Sequence, residues 1–532
     1  MFTKRKSALA AVVLLAFLNF HQVQAQTMEM VNPLTYTDIP DNDVIRVGED
    51  FYMVSTTMFF CPGAPVMHSK DLVHWRIVSY IYDYLADDDI YNLRNGKNAY
   101  GKGQWATTLR YADGVFYALF IANDQRKTYV YRTTDISKSG WECNVIEGAF
   151  FHDASLLFDS DGKVYVVYGN GDLRITELTP DLKAVKQGGI NQDLINTPRQ
   201  GFGLRAEGAH FYHIGDYYYV LVIDWPSGKP RTERCFRSHN LLGPYEEKII
   251  LQGPFDGRGD GVAQGAIVDT PKGDWYGVFF QDHGGVGRVP TLQPVKWEEG
   301  WPILGDNTLP VKRFEVNLAP FGEDHVWASD EFKYKRNDEL DLVWQWNHKP
   351  INADWSVTTR KGWLRLSTSQ LATNLFDARN TLCQRTVGPR CMNETLLDAT
   401  GMKPGDKAGL AAFQSNYCAI GVEVDDNGKR FVVATSGSRR DPKEVMRMPL
   451  KGKKVWLRMK YVFTPQADDT CGPDKAFMSY STDGRHWVEV DNQLQMRFTL
   501  DFFIGYKAAL YNYPTKQAGG HADFDYFRQW TY

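Results

Sequence analysis

Apolar and polar positions alternate along this chain in short runs, and the runs are punctuated by glycine turns that lead into aromatic-rich strands. One phrase returns five times: Gly48-Glu49-Asp50-Phe51-Tyr52, Gly114-Val115-Phe116-Tyr117, Gly162-Lys163-Val164-Tyr165, Gly215-Asp216-Tyr217-Tyr218 and Gly273-Asp274-Trp275-Tyr276. Successive turn glycines lie 66, 48, 53 and 58 residues apart. Short strands and turns repeating at such a period predict a β-propeller of about four strands per blade. Five copies predict five blades. The apolar stretches ahead of the glycines (Val44 to Val47, Thr108 to Tyr111, Leu156 to Phe158, His210 to His213, Ala266 to Val268) read as first strands of hairpins.

A second phrase sets a small polar pair before Asp-Leu or its like, then an aromatic. It appears around Asp71-Leu72 with Trp75, Asp135-Ile136 with Trp141, Asp181-Leu182, and Asn240-Leu241 with Tyr245. Asp and Asn at such positions bond to nearby backbone, so these are turns between outer strands with an architectural role. The stretch from Tyr80 to Gln104 is longer than a blade needs and leads to Trp105; it is expected to wall a pocket.

The propeller pattern spans residues 26–320 and stops around Val316 to Val326. Residues 327–532 again alternate apolar and polar positions in short strands, as in Trp363 to Leu366, Ala419 to Val424, Val455 to Lys460 and Phe502 to Tyr506, without sustained helical periodicity. A two-sheet β-sandwich follows, and the chain is all-β. The cluster Trp344, Trp346, Trp355 and Trp363 suits core packing better than a sugar platform.

A length of 532 residues exceeds what one core organises, in agreement with two domains. Sixty basic against sixty-four acidic residues leave a net charge of -4 with no basic stripe, so nucleic acid is not an expected partner. Aromatics at 14% suit carbohydrate sites and propeller blades alike. At the start, Lys4, Arg5 and Lys6 precede the apolar run Ala8 to Leu18 and the small-residue site ending at Ala25. Residues 1–25 therefore read as a signal peptide for export, to the periplasm or beyond it. The run is too short to span a bilayer as a helix, so no membrane span is expected once it is removed. Seven cysteines lack metal-ligand spacing; Cys383 and Cys391 are near enough in sequence to bridge, and Asn393-Glu394-Thr395 is a glycosylation sequon.

The candidate chemistry lies at one offset. Seven to nine residues before the turn glycines stand Asp41, Trp105, Asp153, Glu207 and Gln264. If first strands line the central channel, these five positions ring one of its ends and three carboxylates converge there. Like charges so placed cost stability unless protonated or cation-bound. Acid–base sugar chemistry uses such sets: one carboxyl protonates the departing oxygen, another activates water on the opposite face.

At these residues the propeller resembles glycoside hydrolase family 43. The resemblance is carried by Pro40-Asp41-Asn42-Asp43 with Pro62-Gly63 and Ser69-Lys70-Asp71-Leu72, by Asp153 ahead of the turn Asp161-Gly162, and by Glu207-Gly208 before a Tyr-rich strand, in family order. It implies that Asp41 is the general base, Glu207 the general acid, and Asp153 the residue that orients the acid and tunes its pKa. It also implies inverting hydrolysis of a terminal pentose. Asn42 departs from the family's second proline and leaves Asp38 and Asp43 as rival bases, with Asp41 favoured by its frame after Pro40. Trp105 is a candidate to stack a sugar, or a packed channel residue. Gln264 is a candidate for substrate hydroxyls, and Arg288 for substrate contact by the resemblance. His283 is a candidate metal ligand or an ordinary hydrogen-bonded histidine. The chemistry requires no cofactor, and the cation implied by the resemblance is a structural calcium.

Segments Asp330-Glu331-Phe332, Trp344 to His348 and Ala522 to Phe527 resemble the concanavalin-like jelly-roll sandwich attached to many β-xylosidases and arabinofuranosidases of the family, which can lend a loop to the pocket. The leading expectation is an exo-acting enzyme releasing α-L-arabinofuranose from hemicellulose side chains, arabinoxylan or xyloglucan, with a plant cell-wall saccharide as partner. β-D-xylosidase is the alternative on the same acids. A non-catalytic sugar-binding propeller has no need of acid, base and tuner together.

Overall fold

The computed structural model describes residues 27–257, 260–335, 338–464 and 474–532. The leader expected over residues 1–25, and Cys471, lie outside them. Five four-stranded antiparallel sheets follow one another along the first part of the chain. Blade 1 runs from Asp43–Val47 to Arg76–Tyr82, blade 2 from Thr108–Ala112 to Glu142–Ile146, and blade 3 from Ser155–Phe158 to Asn191–Ile195. Blade 4 runs from Phe202–Ile214 to Glu246–Gln252, and blade 5 from Ala263–Asp269 to Trp301–Leu304. The first strand of each blade touches the first strands of both neighbours, which closes a five-membered ring.

The repeated phrase has a plain physical origin. Its five turn glycines, at 48, 114, 162, 215 and 273, all have φ between 59° and 87°, a region open to glycine at little cost. The residues after them alternate between the two faces of the second strand, and their aromatic and aliphatic side chains fill the wedges between blades. Val54, Phe116, Phe120 and Tyr129 do so between blades 1 and 2, and Phe211, Val220 and Phe236 between blades 3 and 4. The second phrase builds turns, as expected: Asp71 Oδ1 accepts from the backbone of Val73 and His74, and the Trp75 and Trp141 indoles donate to the carbonyls of Leu72 and Lys138.

Every blade is made from one contiguous stretch, so the ring needs a separate clasp. The N-terminal segment supplies it. Met28–Val31 pairs antiparallel with Arg313–Val316 beyond blade 5. Asn32 then bonds the carbonyls of Leu292 and Val311 and accepts the Leu292 N–H, and Ile39 N–H reaches the Arg288 carbonyl.

Inside the channel one buried ion pair joins three blades. Arg110 Nη1 lies 2.7 Å from Asp43 Oδ2, and its other nitrogens bond Ser155 Oγ at 2.7 Å and the Leu156 carbonyl at 2.8 Å. Burial would push the Asp43 pKa up, but Arg110, His210 and the Leu109 N–H outweigh it and hold it at about 2.

The second domain packs two sheets face to face. One runs from Asp441–Pro449 through Arg430–Ser438, Asn416–Val424, Asp406–Phe413, Lys507–Pro514 and Leu382–Arg385 to Gln345–Asn347. The other centres on His521–Phe524, Arg390–Asp398, Lys454–Val462 and Lys475–Ser481. Between them lie Leu410, Ile420, Val422, Leu457 and Met459, all fully buried. Trp344 and Trp346 belong to this core, in line with the packing use. Cys383 and Cys391 sit in opposite sheets as free thiols, so no bridge forms between them. Asn393 is fully buried and donates to Gln529 Oε1, so the sequon is closed to modification in the folded chain.

The two domains share a sheet. Phe60–Cys61, in the loop between the second and third strands of blade 1, pairs with Gln345–Asn347 and adds an eighth strand to the first sandwich sheet. The long loop after blade 1 was expected to wall a pocket; most of it instead forms this domain junction. Tyr91, Leu93 and Tyr100 are buried there against Phe376 and Phe502, and Tyr100 Oη donates to the Phe376 carbonyl. The reason is its aromatic content, which needs an apolar partner that the propeller does not offer. Among the described residues no helix is long and apolar enough to cross a membrane.

The channel ion pair yields a stability test. Arg110→Met leaves the Asp43 carboxylate buried without its cation, and a loss of about 3–5 kcal/mol is expected in denaturant titration. Adding Asp43→Asn to that variant is expected to recover most of the loss.

Candidate active site

The ring positions meet at one mouth of the channel by way of unusual backbone. Asp41, Asp153 and Gln264 adopt φ of 50°, 47° and 58°, values that side chains with a Cβ rarely take. Such conformations persist only where the surroundings impose them, and they cluster at sites with a task. In blade 4 the left-handed place passes to Gly208, φ 64°, directly after Glu207. A Cβ there would come within 2.8 Å of the Gln264 side chain, which explains why glycine follows the glutamate. One expectation needs correcting: Glu207 does not precede its strand but lies within it, because Phe202–Ile214 extends past the ring. Register shifts on either side of Glu207 bend the strand there.

Three aspartates compete for the first ring position, and their hydrogen bonds separate them. Asp38 has both oxygens occupied by backbone donors, Arg288 N–H at 2.8 Å and Gly505 N–H at 2.9 Å. Asp43 is committed to Arg110, Leu109 and His210. Asp41 alone pairs with a side chain of the mouth, Arg288 Nη1, at 2.7 Å from its Oδ1. Burial raises the Asp41 pKa, opposed by the guanidinium and aided by the charges of Asp38 and Glu207.

At the same mouth, His152, Asp153 and Glu207 form a compact cluster in which one ligand atom from each residue lies within 4.8 Å of the other two. The His152 Nε2 stands 3.7 Å from Asp153 Oδ2 and 3.6 Å from Glu207 Oε2. Asn170, at the end of the second strand of blade 3, donates its amide to Glu207 Oε2. Burial lifts the Asp153 pKa to about 7; His152 pulls it down, while Glu207 and Asp41 push it further up. For His152 burial acts downward, but the neighbouring carboxylates prevail and raise it to about 8. Two groups that change protonation near neutrality thus flank Glu207.

The remaining candidates divide. Trp105 lies at the mouth, its ring stacked on Phe503 at 5.7 Å and tilted against His152 at 5.7 Å. Gln264 is buried beside Gly208, its own N–H bonded to Glu233 Oε2 at 2.8 Å. Arg288 pairs with Asp41 as described and also donates to the Phe503 carbonyl at 3.3 Å. His283 is not brought into the cluster. It is fully buried, with Nδ1 3.2 Å from Tyr36 Oη and Nε2 3.0 Å from Gln281 Oε1, so it does not fit a metal ligand. Among the described residues the group whose ligand atoms could meet on one metal ion is His152, Asp153 and Glu207.

Three participants were not singled out in the sequence. His152 had a signal, its adjacency to Asp153. Asn170 had only its place at the end of a strand. Phe503 had none, because it comes from the second domain; φ of 62° turns it toward Trp105 and Arg288. Gly505, which Asp38 holds, secures that insertion.

Comparison with known proteins gives the family. The model of Glycosyl hydrolases family 43 matches residues 30–302, and that of the Beta xylosidase C-terminal Concanavalin A-like domain matches residues 329–529. A solved Bacteroides eggerthii protein described as bifunctional GH43-CE superposes with a TM-score of 0.88 at 42% identity, over 95% of this chain and 64% of that one. This chain therefore spans slightly less than two thirds of that protein. A putative beta-xylosidase of Xylanibacter ruminicola is 30% identical over 86% of this chain and 82% of its own length. A non-reducing end alpha-L-arabinofuranosidase of Bacteroides ovatus is 29% identical over 76% of this chain and 77% of its own.

The raised pKa of Asp153 carries a pH test. Its folded pKa, about 7, exceeds the ordinary 3.8. The stability linked to its proton is therefore present below about pH 4 and lost as pH rises through about 7. Asp153→Asn mimics the protonated group. Its melting temperature is expected to match wild type near pH 4 and to exceed it by ~3 °C at pH 8.5 in a thermal scan.

Proposed function

The chain belongs to Glycosyl hydrolases family 43, and we propose that it is an exported, exo-acting, inverting glycosidase that removes a terminal pentose, α-L-arabinofuranose, from xylan-type hemicellulose. The observation that carries the reading is the convergence of two differently served carboxylates on one channel mouth, near enough for the charge of Glu207 to raise the Asp41 pKa. Asp41 is paired with Arg288, and Glu207 is flanked by His152, Asp153 and Asn170.

Glu207 gives its proton to the glycosidic oxygen as the bond from that oxygen to the anomeric carbon breaks. Water attacks the opposite face of the carbon and passes its proton to Asp41. The pentose leaves with inverted configuration, the rest of the chain gains a hydroxyl, and a proton returns from Asp41 to Glu207 through solvent. The raised basicity of Asp41 suits a group that must take a proton from water. Asp153 orients Glu207. Trp105 and Phe503 close the mouth with stacked rings, which suits a terminal sugar better than the middle of a polymer. Arg288 and Gln264 are placed to meet its hydroxyls.

A second substrate, β-D-xylose, is favoured by the name of the Xylanibacter ruminicola relative and uses the same acids. Values of kcat/KM on the 4-nitrophenyl glycosides of α-L-arabinofuranose and β-D-xylopyranose separate the two. Arabinofuranoside preference is expected, with losses of about 10²–10⁴-fold in Glu207→Ala and in Asp41→Ala. A xyloside preference would keep the mechanism and change the sugar. Absence of wild-type turnover on both would overturn the hydrolase reading. Phe503→Ala is expected to raise KM severalfold with a smaller change in kcat, since the ring contacts sugar and not the reacting atoms.

A further inference from the structure

The sandwich carries a second polar cavity, of about 230 Å³, on the face of its first sheet that points away from the sandwich core. Residues 418, 420 and 422 of the strand Asn416–Val424 enter the core, so the alternate residues Tyr417, Ala419, Gly421 and Glu423 face the other way. Ala419 and Gly421 leave space above the sheet. Tyr417, Tyr511 and Tyr513 line the cavity beside them, and Lys407, Glu423 and Glu444 complete it.

The three tyrosines have buried rings that pack into the cluster of the domain junction with Phe376 and Phe413. Among the described residues none of their hydroxyls has a hydrogen-bond partner. They also differ from the hydroxyls of Tyr82, Tyr91 and Tyr461, which are sealed from solvent. Three phenols on the wall of one open cavity present donors and acceptors to a ligand that enters it. The charges around them are already balanced. Glu423 lies 2.6 Å from both Lys407 and Arg447, and Glu444 lies 2.7 Å from Arg447. An ionic ligand would find no uncompensated partner there. A neutral one with many hydroxyls would find three phenols, carboxylate acceptors and aromatic edges.

We propose that this cavity is a second, non-catalytic saccharide site that holds a neutral pentose unit of a xylan-type chain. The Arg447 guanidinium keeps the Glu444 pKa low, so that carboxyl holds no proton to give and the cavity lacks the acid that hydrolysis requires. The two sites belong to different domains of one chain that share a sheet, and a polymer bound at the second would be kept near the first.

The choice of a pentose polymer rests on the function proposed above. The test is affinity electrophoresis of the full chain in gels containing soluble arabinoxylan, on a Glu207→Gln background that prevents turnover during the run. Retardation is expected, and the affinity is expected to fall about tenfold or more when Tyr417, Tyr511 and Tyr513 are all changed to Phe. Thr435→Trp fills the cavity from its rim and is expected to abolish the same retardation, which keeps the test decisive if the triple variant does not fold. With Glu207 restored, the tyrosine variant should keep kcat/KM on the small glycosides within about twofold, because no altered group touches the catalytic mouth. Equal retardation of parent and variants, or none in the parent, would overturn the proposal. Either result with turnover intact leaves the hydrolase reading standing, whereas failure of that reading appears as absent turnover.

Discussion

Negative charge crowded at one end of a narrow channel is the constraint that organises this molecule. Asp38, Asp41, Asp43, Asp153 and Glu207 are all buried or nearly so around it, and their partners differ. Asp43 is paired with Arg110 in the channel and Asp41 with Arg288 at the mouth, while Asp38 accepts hydrogen bonds from two backbone N–H groups. Asp153 and Glu207 share one imidazole. Partners of different strength set carboxylates apart in their hold on a proton, and acid–base catalysis requires that separation.

The same constraint explains why a second domain is attached. The mouth formed by the propeller ends in Trp105 and Arg288, whose ring and guanidinium would otherwise face water. Phe503 of the sandwich stacks on the first at 5.7 Å and stands 5.0 Å from the second. Asp38 fastens this insertion through Gly505 while fastening Arg288 through its backbone, so one carboxylate sets the height of both. The shared sheet at Phe60–Cys61 ties the two domains together by backbone pairing. A low-dielectric mouth strengthens each charge interaction within it.

The placement of the charged groups also determines where strain is tolerated. Three ring residues accept left-handed backbone, and each is held by bonds to neighbouring blades or by close packing. The turn glycines at the other end of the same strands adopt that region at little cost, whereas at the mouth side chains with a Cβ adopt it and are aimed by it.

Much of this was legible in the chain itself. The glycine-aromatic phrase determined five hairpins because a tight turn needs φ above zero and a strand needs alternating burial. Their similar offset from the turn, seven to nine residues, pointed to Asp41, Asp153 and Glu207 standing on one ring, since repeats of like design place like positions together. Sandwich strands were legible from alternation, and Trp344 and Trp346 as core from their bulk. Only the tertiary structure decided which of Asp38, Asp41 and Asp43 is available, because that depends on donors far along the chain: Gly505 and Arg288, hundreds of residues away, for Asp38, and Arg110, 67 residues away, for Asp43. Only it could bring Phe503 to the mouth, bury the Asn393 sequon, commit His283 to Tyr36 and Gln281, and leave three tyrosine hydroxyls unpaired. Local sequence encodes turns and alternation through short-range sterics and burial, whereas a charge's partner is set by which surfaces the closed ring and its docked domain finally bring within reach.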